Sequence, residues 1–251
     1  MIEVKNISKS FNGREVLKGI DFEFQSGKTN LVIGKSGSGK SVLVKCIVGL
    51  IEPTSGEVIY DRKSFTKMDI ESRKNIRKEI GMLFQGGALF DSQTVEENIK
   101  FPLRMHSKMS EKEMTDRVNF CLDRVSLHGV NERYPAEISG GMQKRVGIAR
   151  AIVLKPKYLF CDEPNSGLDP QTAIVIDNLI QEITHEYKMT TIVVTHDMNS
   201  VLEIGENILF IHEGKKHWEG NKNVIFKSKE KELLDFVFAS DLMKKLKEGE
   251  N

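Results

Sequence analysis

The chain has 251 residues, of which 37 are Lys or Arg and 36 are Asp or Glu, so its formal net charge is +1. This balance argues against a protein that depends on non-specific attraction to nucleic-acid phosphates, and we expect no nucleic-acid partner. With 39% hydrophobic and 29% charged residues, the composition excludes a disordered chain and a membrane-embedded one. The length predicts one large core, or a core with an inserted lobe.

The cysteines and the N-terminal residues indicate the compartment. Cys46, Cys121 and Cys161 lie at irregular spacing that fits neither a disulfide framework nor a zinc site, which predicts a reducing environment. Charges from position 3 onward do not fit a signal peptide. No uninterrupted apolar run reaches the roughly 18 residues of a transmembrane helix. If the protein serves a membrane, we expect it to do so from outside the bilayer.

The first sixty residues are predicted to be rich in strands. Short apolar runs bounded by turn residues lie at 2–7, 21–24, 30–33 and 57–60. Residues 70–79 are charged and predicted to be helical, and residues 80–84 are a candidate buried strand. Residues 95–152 then show apolar side chains at helical spacing. This order predicts a block of helices after the first strands.

The second half of the chain predicts a parallel sheet. Residues 158–161 and 191–195 are continuous apolar or β-branched runs, as expected of strands that are buried on both faces. Residues 173–184 between them read as a crossover helix. The result is a βαβ pattern into which the helical block is inserted, which indicates an α/β fold.

Residues 34–41 match the phosphate-binding pattern G-x-x-x-x-G-K-[ST], between an apolar run and a helical stretch. Glycines allow backbone N–H groups to turn towards phosphate oxygens, and the start of the helix adds its positive dipole end. The alternative, a turn rich in Gly and Ser, does not account for the flanking strand and helix. The residues predicted to bind ATP here are Gly34, Lys35, Ser36, Gly37, Ser38, Gly39, Lys40 and Ser41.

An acidic pair, Asp162 and Glu163, follows the strand predicted at 158–161. Carboxylates at the carboxyl edge of a parallel sheet face its ligand crevice. In the absence of other motifs, the simpler interpretation is an acidic pair at a strand end that is solvated by water. Beside a phosphate-binding loop, we expect Asp162 to hold Mg²⁺ through water and Glu163 to act as general base for the attacking water. Lys40 would then reach the β- and γ-phosphates, and Ser41 would ligate the Mg²⁺.

Residues 138–143, which we term the signature segment, resemble the signature sequence of ABC-transporter ATPases. The resemblance implies that Ser139, Gly140 and Gly141 would contact ATP bound by a second copy, with a helix N-terminus meeting an anion. The three residues alone would equally fit a flexible turn, so the order of several motifs carries the resemblance. The residues in that order are Lys40, Gln85, Ser139, Asp162, Glu163, Asp169 and His196.

The same resemblance implies roles for further residues. Gln85 is similar to the glutamine that contacts Mg²⁺ or water and senses the membrane partner. Asp169 is similar to the aspartate at the dimer interface, and His196 to the histidine at the γ-phosphate. Phe11 stands where the family places an aromatic ring that stacks on adenine, with core packing as the alternative. Asn165 departs from the family pattern, which often has Thr there.

Two segments are similar to the Mla/Mkl-type ATPases, which energise phospholipid transport with MCE-domain proteins. They are the run that surrounds Gln85, at 81–103, and Met142 in the signature segment. The implied function is phospholipid transport in the maintenance of outer-membrane lipid asymmetry. One alternative is the ATPase of an amino-acid or other small-solute importer. Another is a soluble non-transport ABC ATPase, which the single cassette without a heptad insertion disfavours.

The expected fold is α/β, a P-loop NTPase of the ABC ATPase type. It combines a mixed or parallel β core with an N-terminal antiparallel β region and a helical subdomain inserted near 88–155. Residues 1–220 are expected to form the ATPase domain, and residues 221–251 an amphipathic helical tail. The apolar stripe of that tail would comprise Leu234, Phe238, Leu242 and Leu246, with Leu233, Val237 and Met243 beside it.

The resemblance also implies an assembly. Two copies would sandwich two ATP molecules with Mg²⁺, and closure of this homodimer would drive separate transmembrane permease subunits, with MCE-domain proteins as further partners. The ATPase would lie in the cytoplasm, peripheral on the cytoplasmic face of the inner membrane, and would contact the membrane only through the permease.

Overall fold

The computed structural model of the chain describes residues 1–239. The chain divides into two compact units. The first unit comprises Met1–Gln25, Asn30–Lys67 and the described part of Val194–Asn251, and the second comprises Ser26–Thr29 and Met68–Val193. In the described part of the chain, no helix is long and apolar enough to cross a bilayer.

The secondary structure alternates strands and helices along the chain. The strands are β1 (Ile2–Phe11), β2 (Arg14–Phe24), β3 (Thr29–Ile33), β4 (Ser55–Tyr60), β5 (Lys63–Ser64), β6 (Ile80–Leu83), β7 (Tyr158–Asp162), β8 (Thr190–Thr195), β9 (Asn207–His212) and β10 (Lys215–Gly220). The helices are α1 (Lys40–Ile47), α2 (Ile70–Lys78), α3 (Val95–His106), α4 (Glu111–Arg124), α5 (Gly140–Ile152), α6 (Pro170–Tyr187), α7 (Met198–Ile204) and α8 (Lys231–Val237).

An antiparallel sheet with the strand order β2-β1-β4-β5 forms part of the first unit. Strand β1 lies in its middle, with Ile2 opposite Phe24 of β2 and opposite Tyr60 of β4. The β1–β2 turn places Asn12 at φ 47° and Gly13 at φ 80°, positive values that a two-residue hairpin turn requires and that Asn and Gly tolerate best. This sheet is the N-terminal antiparallel region that the sequence predicts.

A second group of strands in the first unit, in the order β10-β9-β3, carries the core. Strand β3 pairs in parallel with β9, and β9 pairs antiparallel with β10. All five residues of β3 are buried, as expected of a strand covered on both faces. Helix α1 directly follows the loop after β3, and the carbonyl of its last residue, Ile47, accepts a 2.9 Å hydrogen bond from the Tyr60 hydroxyl.

The second unit combines strands in the order β8-β7-β6 with the block of helices. Strands β6 and β7 pair in parallel, with Ile80 opposite Tyr158. Helix α5 lies directly against β6: a Cβ on Gly81 would stand 2.2 Å from the Ala151 carbonyl oxygen, and one on Gly147 would stand 2.7 Å from Leu83 Cδ1. Only glycine permits this approach, so α5 and β6 form one closely packed body.

Several element boundaries differ from the sequence-based expectations. Strands β1 and β2 are longer than the runs 2–7 and 21–24, because their antiparallel ladder continues to the pair Phe11 and Arg14 beside the turn. The added part of β2 includes the buried Leu17 and Ile20. Helix α7 and strands β9 and β10 were not predicted, although β9 is almost entirely buried. Helices α3, α4 and α5 occupy most of the segment at 88–155 that was expected to be helical.

The C-terminal segment packs on the first unit through α8. Leu233, Phe236 and Val237 are its buried residues, and the Phe236 ring lies 5.5 Å from that of Phe210 in β9. Leu233 and Val237, expected beside the stripe, are thus buried, whereas Leu234 and Phe238 of the stripe itself are only partly buried. The other expected members, Leu242, Met243 and Leu246, lie outside the described residues. Residues 221–230 contain a 3-10 turn and not a continuous helix.

The three cysteines are free and buried. Burial raises the pKa of the Cys46 and Cys121 thiols to about 11, and it also raises the pKa of Cys161. All three therefore remain protonated at neutral pH and behave as small apolar side chains.

Candidate nucleotide site

The loop between β3 and α1 requires glycine at two positions. Gly34 has φ 148°, and a Cβ there would stand 2.2 Å from the Ile211 carbonyl oxygen and 2.8 Å from Ser38 Oγ. Gly39 has φ 109°, and its Cβ would stand 2.8 Å from Leu17 Cδ2. The loop therefore turns in a space that any other residue would fill, which fixes its path between strand and helix.

The N-terminus of α1 is open to an external anion. Gly39 at the N-cap supplies no side-chain hydrogen bond, and the first turn contains no acidic residue. The first backbone N–H groups of a helix lack partners within it and carry the positive end of its dipole. They therefore fit the oxygens of a phosphate group.

Two side chains of the loop support this fit. The Lys40 ammonium is buried and donates to the carbonyl oxygens of Gly34, at 2.7 Å, and Lys35, at 3.2 Å. Ser38 Oγ is buried without a hydrogen-bond partner among the described residues. A buried hydroxyl without a partner costs free energy, which a phosphate oxygen would recover. Lys35, Ser36, Gly37 and Ser41 are exposed, so the loop can be reached from solvent.

In the second unit, the acidic pair stands at the end of β7 as expected. Asp162 is the last residue of that strand, and Glu163 follows with φ 47°. A left-handed backbone is unfavourable for glutamate and is found where the surrounding structure imposes it, often at functional sites. The turn thereby points the chain away from the strand directly after Asp162. Sequence reasoning did not predict this backbone conformation.

Gln85 joins two parts of the second unit. Its side-chain Nε2 donates to Ser166 Oγ at 3.3 Å, in the loop that follows Glu163. Its backbone carbonyl accepts a hydrogen bond from the Lys144 ammonium on α5. Gln85 thus contacts both the loop after β7 and the helix that begins at the signature segment.

The signature segment stands at the N-terminus of α5. Ser139 is the N-cap residue, and its hydroxyl accepts a 3.3 Å hydrogen bond from the Met142 N–H. Ser139 and Gly140 are exposed, whereas a Cβ on Gly141 would stand 2.7 Å from Thr172 Cγ2 of α6. The exposed helix start has no acidic residue in its first turn, so it too can meet an anion.

Asp169 caps α6. Its carboxylate accepts hydrogen bonds from the Thr172 N–H at 3.0 Å and the Thr172 hydroxyl at 2.5 Å. These bonds lower the pKa of Asp169, because they stabilise its charged form. Asp169 therefore has a structural role in the single chain, whatever its role in an assembly.

His196 and Phe11 both lie in the first unit. His196 follows β8 and is exposed. Phe11 ends β1, and its side chain is 41% exposed, with the Lys9 ammonium 5.0 Å from the ring centroid. This exposure does not fit core packing, and it leaves the ring available for stacking on the face that Lys9 does not cover.

Two residues of α5 that sequence reasoning missed complete the surroundings of Gln85. Lys144 is buried, and burial lowers its pKa, although the charge of Glu163 acts in the opposite direction. Arg150 donates to the carbonyl oxygens of Gly87, at 2.7 Å, and Ala88, at 2.8 Å. The available signal was weak: α5 carries three cations, Lys144, Arg145 and Arg150, and the sequence does not show which of them reach the segment after β6.

Comparison with known proteins identifies similar sequences. The family model described as "ABC transporter" matches residues 17–166. The chain is 36% identical over 236 residues to the probable ribonucleotide transport ATP-binding protein mkl of Mycobacterium leprae, covering 94% of this chain and 68% of that protein. It is 38% identical over 250 residues to the methionine import ATP-binding protein MetN of Desulfitobacterium hafniense, covering 96% of this chain and 73% of that one.

Solved structures show the same fold. The ATP-binding cassette MJ0796, in a dimeric post-hydrolysis state bound to ADP and Pi, is 32% identical with a TM-score of 0.80, covering 88% of this chain and 99% of that one. The protein cbiO1 of Clostridium perfringens, part of the ABC transporter complex cbiONQ, is 28% identical with a TM-score of 0.85, covering 98% of each chain.

Proposed function

Because the chain belongs to the ABC transporter family of ATPases, we propose that it is the ATP-hydrolysing subunit that powers a separate transmembrane permease. The observation that carries this proposal is the phosphate-binding loop, where an uncapped helix N-terminus, the Lys40 ammonium and the unpartnered Ser38 hydroxyl converge. These groups are suited to the phosphates of a nucleoside triphosphate. They meet in a loop whose path is determined by Gly34 and Gly39.

Each residue of the site has a separate proposed role in ATP hydrolysis. Lys40 exchanges its two carbonyl contacts for β- and γ-phosphate oxygens, and Ser38 donates its hydroxyl to phosphate. Ser41 and Gln85 would hold Mg²⁺ through their side-chain oxygens and Asp162 would hold it through water, and the metal would supply positive charge that neutralises phosphate. Glu163 accepts a proton from the water that attacks the γ-phosphorus, while the bond to the bridging oxygen of ADP breaks.

The remaining site residues contact other parts of the nucleotide. His196 donates to the γ-phosphate, and Phe11 stacks on adenine through its exposed ring face. Ser139, Gly140 and Gly141, with Asp169 beside them, complete the site of a second copy. The support for this composite site is the exposed, acid-free start of α5, together with a solved dimeric relative that holds ADP and Pi.

The cargo that we propose is a phospholipid, moved with MCE-type partners. The support is the similarity of residues 81–103 and Met142 to the Mla/Mkl-type pattern. A relative named for probable ribonucleotide transport and relatives named for methionine import match the chain comparably well. Import of an amino acid is therefore the second candidate. Lipid analysis of the complex purified from native membranes separates the two, because only the first predicts enriched phospholipid with the permease.

Glu163→Gln tests the hydrolytic mechanism. The amide cannot accept the water's proton, so ATP turnover should fall about 10²- to 10⁴-fold while ATP affinity stays unchanged. The variant should also accumulate as an ATP-bound dimer, measured by size-exclusion chromatography with light scattering. Lys40→Ala is the matched control, since it should lose ATP binding itself. Turnover near the parent's in Glu163→Gln would remove Glu163 from the base role.

A further inference from the structure

The segment at 85–88, which follows β6, has little conformational preference of its own. It contains two successive glycines, and Gly87 and Ala88 adopt left-handed backbones at φ 73° and 47°. Glycine leaves many conformations open, and alanine disfavours the one it adopts here. Contacts from outside the segment must therefore impose its shape.

Helix α5 supplies those contacts through two side chains. The Lys144 ammonium donates to the Gln85 carbonyl, and the Arg150 guanidinium donates to the carbonyls of Gly87 and Ala88 with two different nitrogens. Three of the four carbonyl oxygens of the segment thus accept hydrogen bonds from cations on one helix. Hydrogen bonds from charged donors are stronger than those between neutral groups.

The two cations are themselves fixed in place. Lys144 is only 6% exposed, and burial lowers the pKa of both Lys144 and Arg150. The helix that carries them packs against β6 at Gly81 and Gly147 with no room for a Cβ. Such packing leaves the donors little freedom to follow the segment elsewhere.

The same helix begins at the signature segment. Its start is held by Gln143, whose side chain donates to the Pro135 carbonyl at 2.8 Å. The 85–88 segment and the exposed Ser139 are therefore attached to one rigid element: Lys144 lies about one and a half turns from Ser139 along α5, and Arg150 about three turns. The side chain of Gln85 adds the bond to Ser166, in the loop that follows Glu163.

We propose that Lys144 and Arg150 are positioning residues that fasten the 85–88 segment to α5, so that the segment and the signature segment move as one body. This inference rests on the proposed function, in which the signature completes the site of a second copy. A displacement of the segment by a permease is then transmitted to Ser139. Without the two cations, residues 85–88 move independently of α5, and their displacement no longer changes the position of the signature segment.

Hydrogen exchange of the full chain tests the attachment directly. In Lys144→Met and Arg150→Met, amides of residues 85–90 should exchange about tenfold faster than in the parent, because the segment loses its outside contacts. Arg145→Met is the matched control: Arg145 lies on the same helix and donates to the Ser126 carbonyl at 3.2 Å, far along the chain from the segment. It should leave exchange at 85–90 unchanged.

Kinetics of the same variants test the consequence. ATP affinity of the single chain should stay within about twofold of the parent, whereas kcat and ATP-dependent dimerisation in the Glu163→Gln background should fall about tenfold. Lys144→Arg and Arg150→Lys keep the charge and should recover part of the loss. If Arg150→Met does not fold, Arg150→Lys carries the test, since it can hold one carbonyl where Arg holds two.

The outcomes separate the two proposals. Faster exchange with unchanged kcat and dimerisation would overturn the positioning role, and so would unchanged exchange. A fall in kcat that the Arg145→Met control matches would overturn it as well, because the effect would then reflect general stability. If the parent neither hydrolyses ATP nor dimerises, the proposed function fails and the positioning role fails with it, whereas the other negative outcomes leave the proposed function standing.

Discussion

Helices α3 and α4 begin differently from helix α1. Helix α3 begins with a complete capping box: Thr94 Oγ1 accepts from the Glu97 N–H at 3.2 Å, and the Glu97 carboxylate accepts from the Thr94 N–H at 2.8 Å. Helix α4 repeats the arrangement with Ser110 and Glu113. Helix α1 has neither the cap nor a first-turn acid.

The difference separates structural helix starts from one suited to binding. In α3 and α4, the chain's own oxygens satisfy the N-terminal amides and its carboxylates complement the dipole, so an external anion would gain little there. In α1, both positions are left open and a lysine is added. Helix α5 is intermediate, because its cap, Ser139, is neutral and its first turn holds no acid, whereas the acids Asp169 and Asp197 cap α6 and α7. This gradation points to the two helix starts proposed to contact nucleotide.

The largest expected effect comes from closing the space that shapes the loop before α1. Gly34→Ala would place a Cβ 2.2 Å from a backbone oxygen in a left-handed conformation, so we expect a loss of at least about 2 kcal/mol in the free energy of unfolding, together with loss of ATP binding. Gly37→Ala is the control, since nothing lies within 4 Å of its Cβ and only the backbone cost of about 1 kcal/mol remains. Equal denaturation midpoints for the two variants would contradict this account of the loop.

A smaller effect is expected from giving α1 the acid that α3 has. Val42 occupies the third position of α1, where α3 carries Glu97. Val42→Glu should weaken ATP binding about tenfold, through repulsion of phosphate, while helix stability rises by up to about 0.5–1 kcal/mol. The neutral Val42→Gln is the comparison in a fluorescence titration with labelled ATP. Equal affinities would show that the open helix start does not bind phosphate.

The smallest effect concerns Glu96, a first-turn acid of α3. Burial raises its pKa, but hydrogen bonds and charge from Lys100, with a bond from Asn131, outweigh burial and hold the pKa below its usual range. Its stabilisation is therefore present above the unfolded pKa, near 4.3, and is lost as pH falls through the folded value. Glu96→Gln should lower the free energy of unfolding by about 1 kcal/mol at pH 7. The loss is limited because Lys100 retains its ion pair with Glu111.

The measurement for Glu96→Gln is urea denaturation between pH 7 and pH 3, with ATP affinity recorded alongside. The difference from the parent should shrink towards zero at the acid end, and ATP affinity at pH 7 should not change. A difference that stays constant with pH would show that packing, and not charge, accounts for the loss.

Much of the fold could be predicted from the sequence because the local signals were unambiguous. The phosphate-binding loop, the buried strands β3, β7 and β8, and helix α6 follow from glycine spacing and apolar runs. The hairpin turn at Asn12 and Gly13 was recognised, whereas the full length of its strands was not, since Lys18 and Gly19 interrupt the apolar pattern between the buried Leu17 and Ile20 of β2.

The parts that could not be predicted depend on contacts between distant segments. The left-handed backbone of Glu163 is imposed by its surroundings and has no signal in residue type. The bonds from Lys144 and Arg150 join residues about sixty positions apart in the chain, so no local pattern shows them. The face that α8 buries was misplaced, because the helix is short and its docking partner Phe210 lies in the unpredicted β9.

The buried cysteines have a practical consequence for following the motion proposed for α5. Thiol-directed dyes and spin labels react with the thiolate, and at neutral pH a pKa of about 11 leaves Cys46 and Cys121 with a thiolate fraction on the order of 10⁻⁴. Burial adds a steric barrier at all three sites. The native cysteines are thus nearly unreactive towards such reagents. A label on a cysteine introduced at an exposed position can therefore report distances without removal of the three native cysteines.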